Sequence, residues 1–337
     1  MHRRRTHARA SRAHGAVSRR RRQQHDHGAT PARRRRLGVK AQLLLDTQCT
    51  LAEGPVWDAR AQALFFTDIY ESVLYRYDPA RRDLKTFAMP ERLATYALCE
   101  DDRYLLLGLE SRLAFYEIAT GRVKTIAEIE TGLPTRLNDG RLDREGRFVF
   151  GTKDESGEHK TQCAFYRLNL DLSVERLPLP ACEISNSLAF TPDGRTMYYC
   201  DTPTRAIRVC DYALDGTISN DREFVRLSDP DGYPDGSAID TRGNLWNAQW
   251  EGRRVICYSP EGRELERIEV PVPQPSCPVF GGADFGTLYI TSAREDLSEA
   301  QLAADPTSGG IYVAQVGASG ARGLADTRFG ASPALAS

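Results

Sequence analysis

Residues 138–151 read Asn138-Asp139-Gly140-Arg141-Leu142-Asp143-Arg144-Glu145-Gly146-Arg147-Phe148-Val149-Phe150-Gly151: a strand, a tight turn and a second strand. The glycine behind an acidic residue accepts the positive φ of a hairpin turn, and the apolar run after it has the length of a buried strand. The plan recurs in Leu188-Ala189-Phe190-Thr191-Pro192-Asp193-Gly194-Arg195-Thr196-Met197-Tyr198-Tyr199, and again where Arg242-Gly243-Asn244 precedes Leu245-Trp246. Counted between Phe65, Leu106, Val149, Tyr198, Trp246 and Tyr289, the second strands are spaced 41, 43, 49, 48 and 43 residues apart. A third strand follows each one, from Leu74-Tyr75-Arg76-Tyr77 to Ile311-Tyr312-Val313.

Six such units without helical periodicity predict an all-β chain, a six-bladed β-propeller over residues 39–318. A two-domain α/β fold would need amphipathic helices between the strands, and none longer than about two turns can be drawn. Residues 42–45, Gln42-Leu43-Leu44-Leu45, are expected to supply the outer strand of the last blade and so close the ring.

The ends differ from the body in composition. Residues 1–36 hold 13 arginines and one acid, leaving 32 basic and 45 acidic residues for the rest, so a basic arm precedes an acidic body. Residues 1–38 are expected to be a disordered Arg/His-rich extension, whether a true arm or an over-long start, and 319–337 a flexible Ala/Gly/Ser-rich tail. No apolar h-region follows the arginines, and no run approaches the roughly 18 apolar residues of a membrane span. A chain working in the cytoplasm without a membrane or nucleic-acid partner, as a monomer or weak oligomer, is the expectation.

Five of the six histidines lie in the arm, leaving His159 alone in the body. That excludes a multi-histidine zinc centre and leaves a Ser-His-Asp triad only one imidazole to use. The eight cysteines are scattered without a C-x-x-C pair, as free thiols of a reducing compartment would be.

Polar residues fall at one phase of the repeat. Asp235 lies eleven residues before Trp246, Asn138 eleven before Val149, Asn186 twelve before Tyr198 and Glu53 twelve before Phe65. In a propeller the first strand of each blade lines the central channel, so these four side chains should converge at one mouth. The two remaining blades offer Thr95 or Tyr96 and Ser276 or Cys277 at that phase. Alone, each of the four reads better as turn chemistry; together they describe a site. Carboxylates gathered with amides and no cation repel one another, and a divalent ion relieves that cost. The oxygen-rich set suits Ca²⁺, Mg²⁺ or Mn²⁺ first, then Zn²⁺ or Fe²⁺.

Several runs carry a family resemblance. Ala52-Glu53-Gly54-Pro55-Val56-Trp57, Arg136-Leu137-Asn138-Asp139-Gly140, Ile184-Ser185-Asn186, Pro234-Asp235-Gly236 and Cys277-Pro278-Val279-Phe280-Gly281-Gly282 occur in order between about residues 43 and 315. This pattern resembles the regucalcin/gluconolactonase (senescence marker protein) family, six-bladed propellers that bind one divalent metal and hydrolyse sugar lactones. The resemblance implies Glu53, Asn186 and Asp235 as metal ligands, with Asp235 also the catalytic base. It further implies Arg136, Asn138 and Asp139 as the groups holding the lactone, and Glu155, beside Asp154, as the acidic residue after the Gly-Thr of the third blade. Ser187 stands where the family commonly has glycine.

The expected activity is therefore metal-assisted hydrolysis of an aldonolactone, with Asp139 as a second candidate base because a metal-bound carboxylate is a weak one. A non-catalytic calcium-binding scaffold would keep the ligands without turnover. Hydrolysis of a phosphotriester or hydrophobic lactone would want an apolar mouth, and nucleic-acid binding through the arm would show steep salt dependence.

Overall fold

Six antiparallel sheets ring one axis in the computed structural model, which describes residues 39–336. The expectation for 1–38 falls outside the described residues. The inner strands, in chain order, are Ala52–Asp58, Leu93–Leu98, Thr135–Leu142, Ser185–Phe190, Tyr233–Ile239 and Pro275–Gly281, one for each of blades 1 to 6. Each pairs with the next strand in sequence, and blades build outward by successive hairpins. Gln42–Leu45 runs antiparallel to Ile311–Gln315 and completes blade 6, as expected. Val39–Lys40 adds a fifth, parallel strand to blade 5 along Glu264–Glu269, so one short segment clasps two blades. The single α-helix of the described residues, Glu299–Ala304, is six residues long, and no helix is long and apolar enough to cross a membrane.

Aliphatic and aromatic side chains of the second and third strands fill the seams between blades. Trp57 stacks on Tyr289 between blades 6 and 1, Phe165 meets Tyr199 edge-on between 3 and 4, and Trp246 meets Phe280 between 5 and 6. Each pairing buries large apolar surfaces in offset or edge geometry that ring quadrupoles favour.

All six inner strands share a further feature: a register shift one to three residues into the strand. The shifts fall at Glu53/Val56, Leu93/Thr95, Leu137/Gly140, Asn186/Ala189, Pro234/Ser237 and Pro275/Pro278. A bulge bends the strand and re-aims the side chains beside it. In blade 5 the bulge needs Gly236, where a Cβ would come within 2.3 Å of Cys277 Sγ.

Residues 321–336 do not fray, contrary to their composition. Gly323 passes so close to Phe280 that a Cβ there would lie 2.1 Å from its Cβ. Asp326 pairs with Arg141 at 3.2 Å, and Arg328 pairs with Asp58 at 2.5 Å and with Asp102 at 2.7 Å. Phe329 exchanges main-chain hydrogen bonds with Leu98 and Glu100 and packs, fully buried, against Phe115. The segment thus crosses from blades 5 and 6 to blades 1 and 2 over the mouth opposite Glu53. Phe329→Ala is expected to cost about 3–5 kcal/mol, the usual range for emptying a buried phenylalanine site. Chemical denaturation would read it, and a midpoint equal to wild type would refute the tail's anchoring role.

Candidate active site

Glu53, Arg136, Asn138, Asn186 and Asp235 line one cavity of roughly 190 Å³ at the channel mouth, together with Lys153, Thr202, Trp250, Glu295 and the apolar Leu51 and Ile184. Four blades deliver the five predicted side chains from the same end of their inner strands, each beside its bulge.

Hydrogen bonds fix how the polar groups face. Thr202 Oγ1 donates to the carbonyl of Pro234 at 3.0 Å, so its lone pairs accept from Asn186 Nδ2 at 2.9 Å. That acceptor sets the amide of Asn186 with nitrogen outward and Oδ1 toward the cavity. Asn138 is held likewise: Arg136 Nη1 donates to its Oδ1 at 2.7 Å, and its Nδ2 donates to Ser185 O at 2.8 Å and Asn186 Oδ1 at 3.2 Å. Arg136, only 1% exposed, donates through Nε to Glu155 at 3.2 Å and through Nη1 to Leu137 O at 2.8 Å. Its Nη2 is buried without a hydrogen-bond partner among the described residues.

Asp235 is the least satisfied group. It is 5% exposed, and no described side chain or main-chain N–H donates to its carboxylate. Its carbonyl, by contrast, accepts from Ser187 Oγ at 2.5 Å and Asn247 Nδ2 at 3.0 Å, which pins the bulge. Ser187 itself has φ +63°, a left-handed conformation that glycine takes freely; the hydrogen bond to Asp235 is what its hydroxyl returns for that strain. Burial pushes the Asp235 carboxyl far above its ordinary range, and the charges of Glu53 and Asp139 push it further. Glu53 is raised to about 8 by burial and then by Asp139. Lys153 is lowered, by burial first and then by Arg136.

Asp139 and Glu155 are not among the residues that line this cavity. Asp139 sits deeper in the channel, one oxygen accepting from Gly140 N at 2.8 Å and the other from Leu188 N at 2.9 Å. It ties the bulges of blades 3 and 4 together and does not line the cavity. Glu155 stands behind Arg136, bridged to Arg92 at 2.6 Å, and reaches the cavity only through that guanidinium. Thr95 and Ser276 also stay off the cavity, bonded to Gly140 O at 3.2 Å and Ala52 O at 2.5 Å. Tyr96 and Cys277 are buried apart from the cavity. His159 is exposed against Glu183, far from a nucleophile's position, and all eight cysteines are free and buried.

Sequence reading missed Lys153, Thr202, Trp250 and Glu295. A signal for three of them existed: first and second strands are antiparallel, so the end of each second strand returns to the same mouth. Arg136 lies opposite Lys153 and Tyr233 opposite Trp250, and Thr202 directly follows the strand ending at Asp201.

A buried Asp235 carboxylate without donors, raised further by the charge of Glu53, and the Asn186 amide in the same cavity wall form a set that a hard divalent cation fits. Glu53, Asn186 and Asp235 are the groups that could hold it, with room left for water and one small polar ligand.

Comparison with known proteins agrees with this architecture. A family profile described as the SMP-30/Gluconolactonase/LRE-like region matches residues 51–294. L-arabinolactonase of Azospirillum brasilense is 50% identical over 295 residues, covering 87% of this chain and 97% of its own. 6-Deoxy-6-sulfogluconolactonase of Pseudomonas putida is 37% identical over 282 residues, covering 80% and 92%. The crystal structure of a calcium-binding protein, regucalcin, from Agrobacterium tumefaciens superposes with a TM-score of 0.81 at 28% identity, covering 87% of this chain and 98% of that one. The chain belongs to the SMP-30/gluconolactonase/LRE-like family.

Proposed function

We propose that this protein hydrolyses an aldonolactone, a 1,4- or 1,5-lactone of the glucono, xylono or arabinono type, to the aldonic acid, with one divalent cation held by Glu53, Asn186 and Asp235. The chain is an enzyme of the carboxylic-ester hydrolase class, a sugar lactonase by its kinship. The observation that carries the finer reading is the Asp235 carboxylate, free of donors among the described residues, in the wall of the same small polar cavity as Arg136.

A bound cation supplies Lewis-acid polarisation of an ester carbonyl. The remaining work falls to side chains. Arg136 Nη2 is a buried donor in want of an acceptor, and a lactone oxygen meets that want. Lys153 offers a donor to ring hydroxyls, which suits a polyol and not a lipid. Asp235 takes a proton from the attacking water as its oxygen bonds to the carbonyl carbon. Collapse of the tetrahedral adduct then breaks the ring C–O bond, and the ring oxygen takes up the proton that Asp235 received. Asp139 has both oxygens engaged by main-chain N–H groups, which disfavours it as the base.

A proton-release assay on a panel of aldonolactones, with metal-stripped and metal-restored protein, tests this directly. Cation-dependent turnover of at least one aldonolactone is expected; none with any of Ca²⁺, Mg²⁺, Mn²⁺, Zn²⁺ or Fe²⁺ would refute the proposal. The likeness to a calcium-binding regucalcin favours a second reading, a cation-binding propeller without turnover. In that case Arg136→Met would change nothing measurable beyond stability.

The Asn186 amide gives a separate prediction. Thr202→Val keeps the shape but removes the acceptor for Nδ2 and lets the amide turn. Cation affinity by titration calorimetry should fall about 10–100-fold, the usual cost of losing a partner behind a ligand, while Thr202→Ser restores it. Equal affinity in the valine variant would show that Asn186 needs no such support.

A further inference from the structure

The seam between blades 1 and 2 is packed without the ring contacts found at the others. Trp57 with Tyr289, Phe165 with Tyr199, Phe224 with Tyr258 and Trp246 with Phe280 each join two neighbouring blades, and at the seam of blades 2 and 3 Phe115 meets Phe329 of the C-terminal segment. Among the described residues no two rings pair between blades 1 and 2, although Phe65, Phe87, Tyr96 and Tyr116 all belong to that cluster. In place of a ring pair there is a cavity of about 330 Å³, larger than the candidate active site. It falls at the lower end of the roughly 300–1,000 Å³ range of small-molecule sites, most of which are apolar with a few convergent polar groups.

The walls of this cavity are Phe65, Leu74 and Phe87 from blade 1 and Leu98, Leu105 and Ile118 from blade 2. Its charged groups are unequally satisfied. Arg60 pairs with Glu100 and Asp102, and Arg328 pairs with Asp58 and Asp102, so the acids at the rim are already neutralised. Arg76 has no hydrogen bond and no ion pair among the described residues; its guanidinium lies 5.8 Å from the centre of the Phe65 ring, opposite that residue in the strand register. Its partner on the other side is Lys85, a second cation. The hydroxyls of Tyr104 and Tyr116, which also line the cavity, have no partner among the described residues either. A half-buried cation with two free hydroxyl donors beside an apolar hollow is complementary to one chemistry.

We propose that this seam binds a small amphiphilic anion, an aliphatic or aromatic carboxylate whose apolar body fills the hollow and whose head group pairs with Arg76. The site is separate from the lactone cavity. Asp58 at its rim ends the inner strand near whose start Glu53 stands, five residues and so about 17 Å away at the usual rise per residue. A guanidinium on an aromatic face and free to fork toward a carboxylate is an effective anchor, since charge-assisted bidentate pairs outweigh neutral hydrogen bonds.

Titration calorimetry of the full chain with octanoate and with 4-phenylbutyrate tests the proposal, the two probes distinguishing an aliphatic from an aromatic body. Saturable one-to-one binding of at least one carboxylate is expected. Octanol in place of octanoate, and Arg76→Gln in place of wild type, should each weaken binding about tenfold or more. Ile118→Trp keeps Arg76 but fills the hollow, and should abolish binding of both probes while raising the melting temperature. Lactone turnover should be unchanged in both variants, which separates this site from the catalytic one. Absence of saturable binding of either carboxylate, octanol binding as tightly as octanoate, or full-strength binding to Ile118→Trp would each overturn it.

Discussion

Asp235→Ala should leave a folded propeller with no lactone turnover above background, a loss of about 10³-fold or more given what a positioned base alone contributes. The variant should fold because the interactions that shape its strand are made by the main chain: Ser187 and Asn247 hold the Asp235 carbonyl, not its carboxylate. Removing the carboxylate also relieves a repulsion, since the charges of Glu53 and Asp139 disfavour that of Asp235 in a buried site. The metal-free variant should therefore melt no lower than metal-free wild type, while its cation affinity and its turnover both collapse. Proton release and thermal melting, read side by side, give the answer. Turnover within about tenfold of wild type would remove Asp235 from the reaction.

Stripping the cation should matter more as the pH rises. The Glu53 carboxyl stands at about 8 in the folded protein without metal, against an ordinary 4.5. Between those values the folded state keeps a proton that the unfolded chain has released, so the metal-free protein loses stability as pH climbs through the interval. A bound cation needs the ionised carboxylates, so its binding expels protons and tightens over the same range. The melting temperature gained on restoring metal should accordingly widen from about pH 5 to about pH 8. Calorimetry in buffers of different ionisation enthalpy would show the released protons directly. A gain that stays flat with pH would mean that these carboxylates do not hold the ion.

Much of this architecture was legible because its second strands are short apolar runs behind turn glycines, a pattern no helix reproduces. The outermost strands were not. Asp83–Ala88 and Glu264–Glu269 are largely exposed and Arg122–Glu128 is exposed or half-buried throughout, and their polar sequence looks like loop. The C-terminal segment misled for a related reason: its anchoring rests on Asp326, Arg328 and Phe329, three residues in a run otherwise rich in alanine and glycine. At the cavity, repeat phase picked out Glu53, Asn138, Asn186 and Asp235 because equal positions in successive blades must converge. Phase could not separate Asn138, which faces the cavity, from its neighbour Asp139, which the bulge turns down the channel. Nor could it reveal that Glu155 acts behind Arg136, because their pairing crosses a hairpin.

The C-terminal strap has a kinetic corollary. The Arg141–Asp326 pair and the strap that carries it narrow the far opening, so that the mouth at Glu53 is the expected doorway for reactant and product alike. By the reaction proposed above, the acid formed by ring opening would carry a new carboxylate beside Arg136 and would have to back out before another lactone could enter. Inhibition by the aldonate should therefore be competitive, and the enzyme should slow as its own product accumulates.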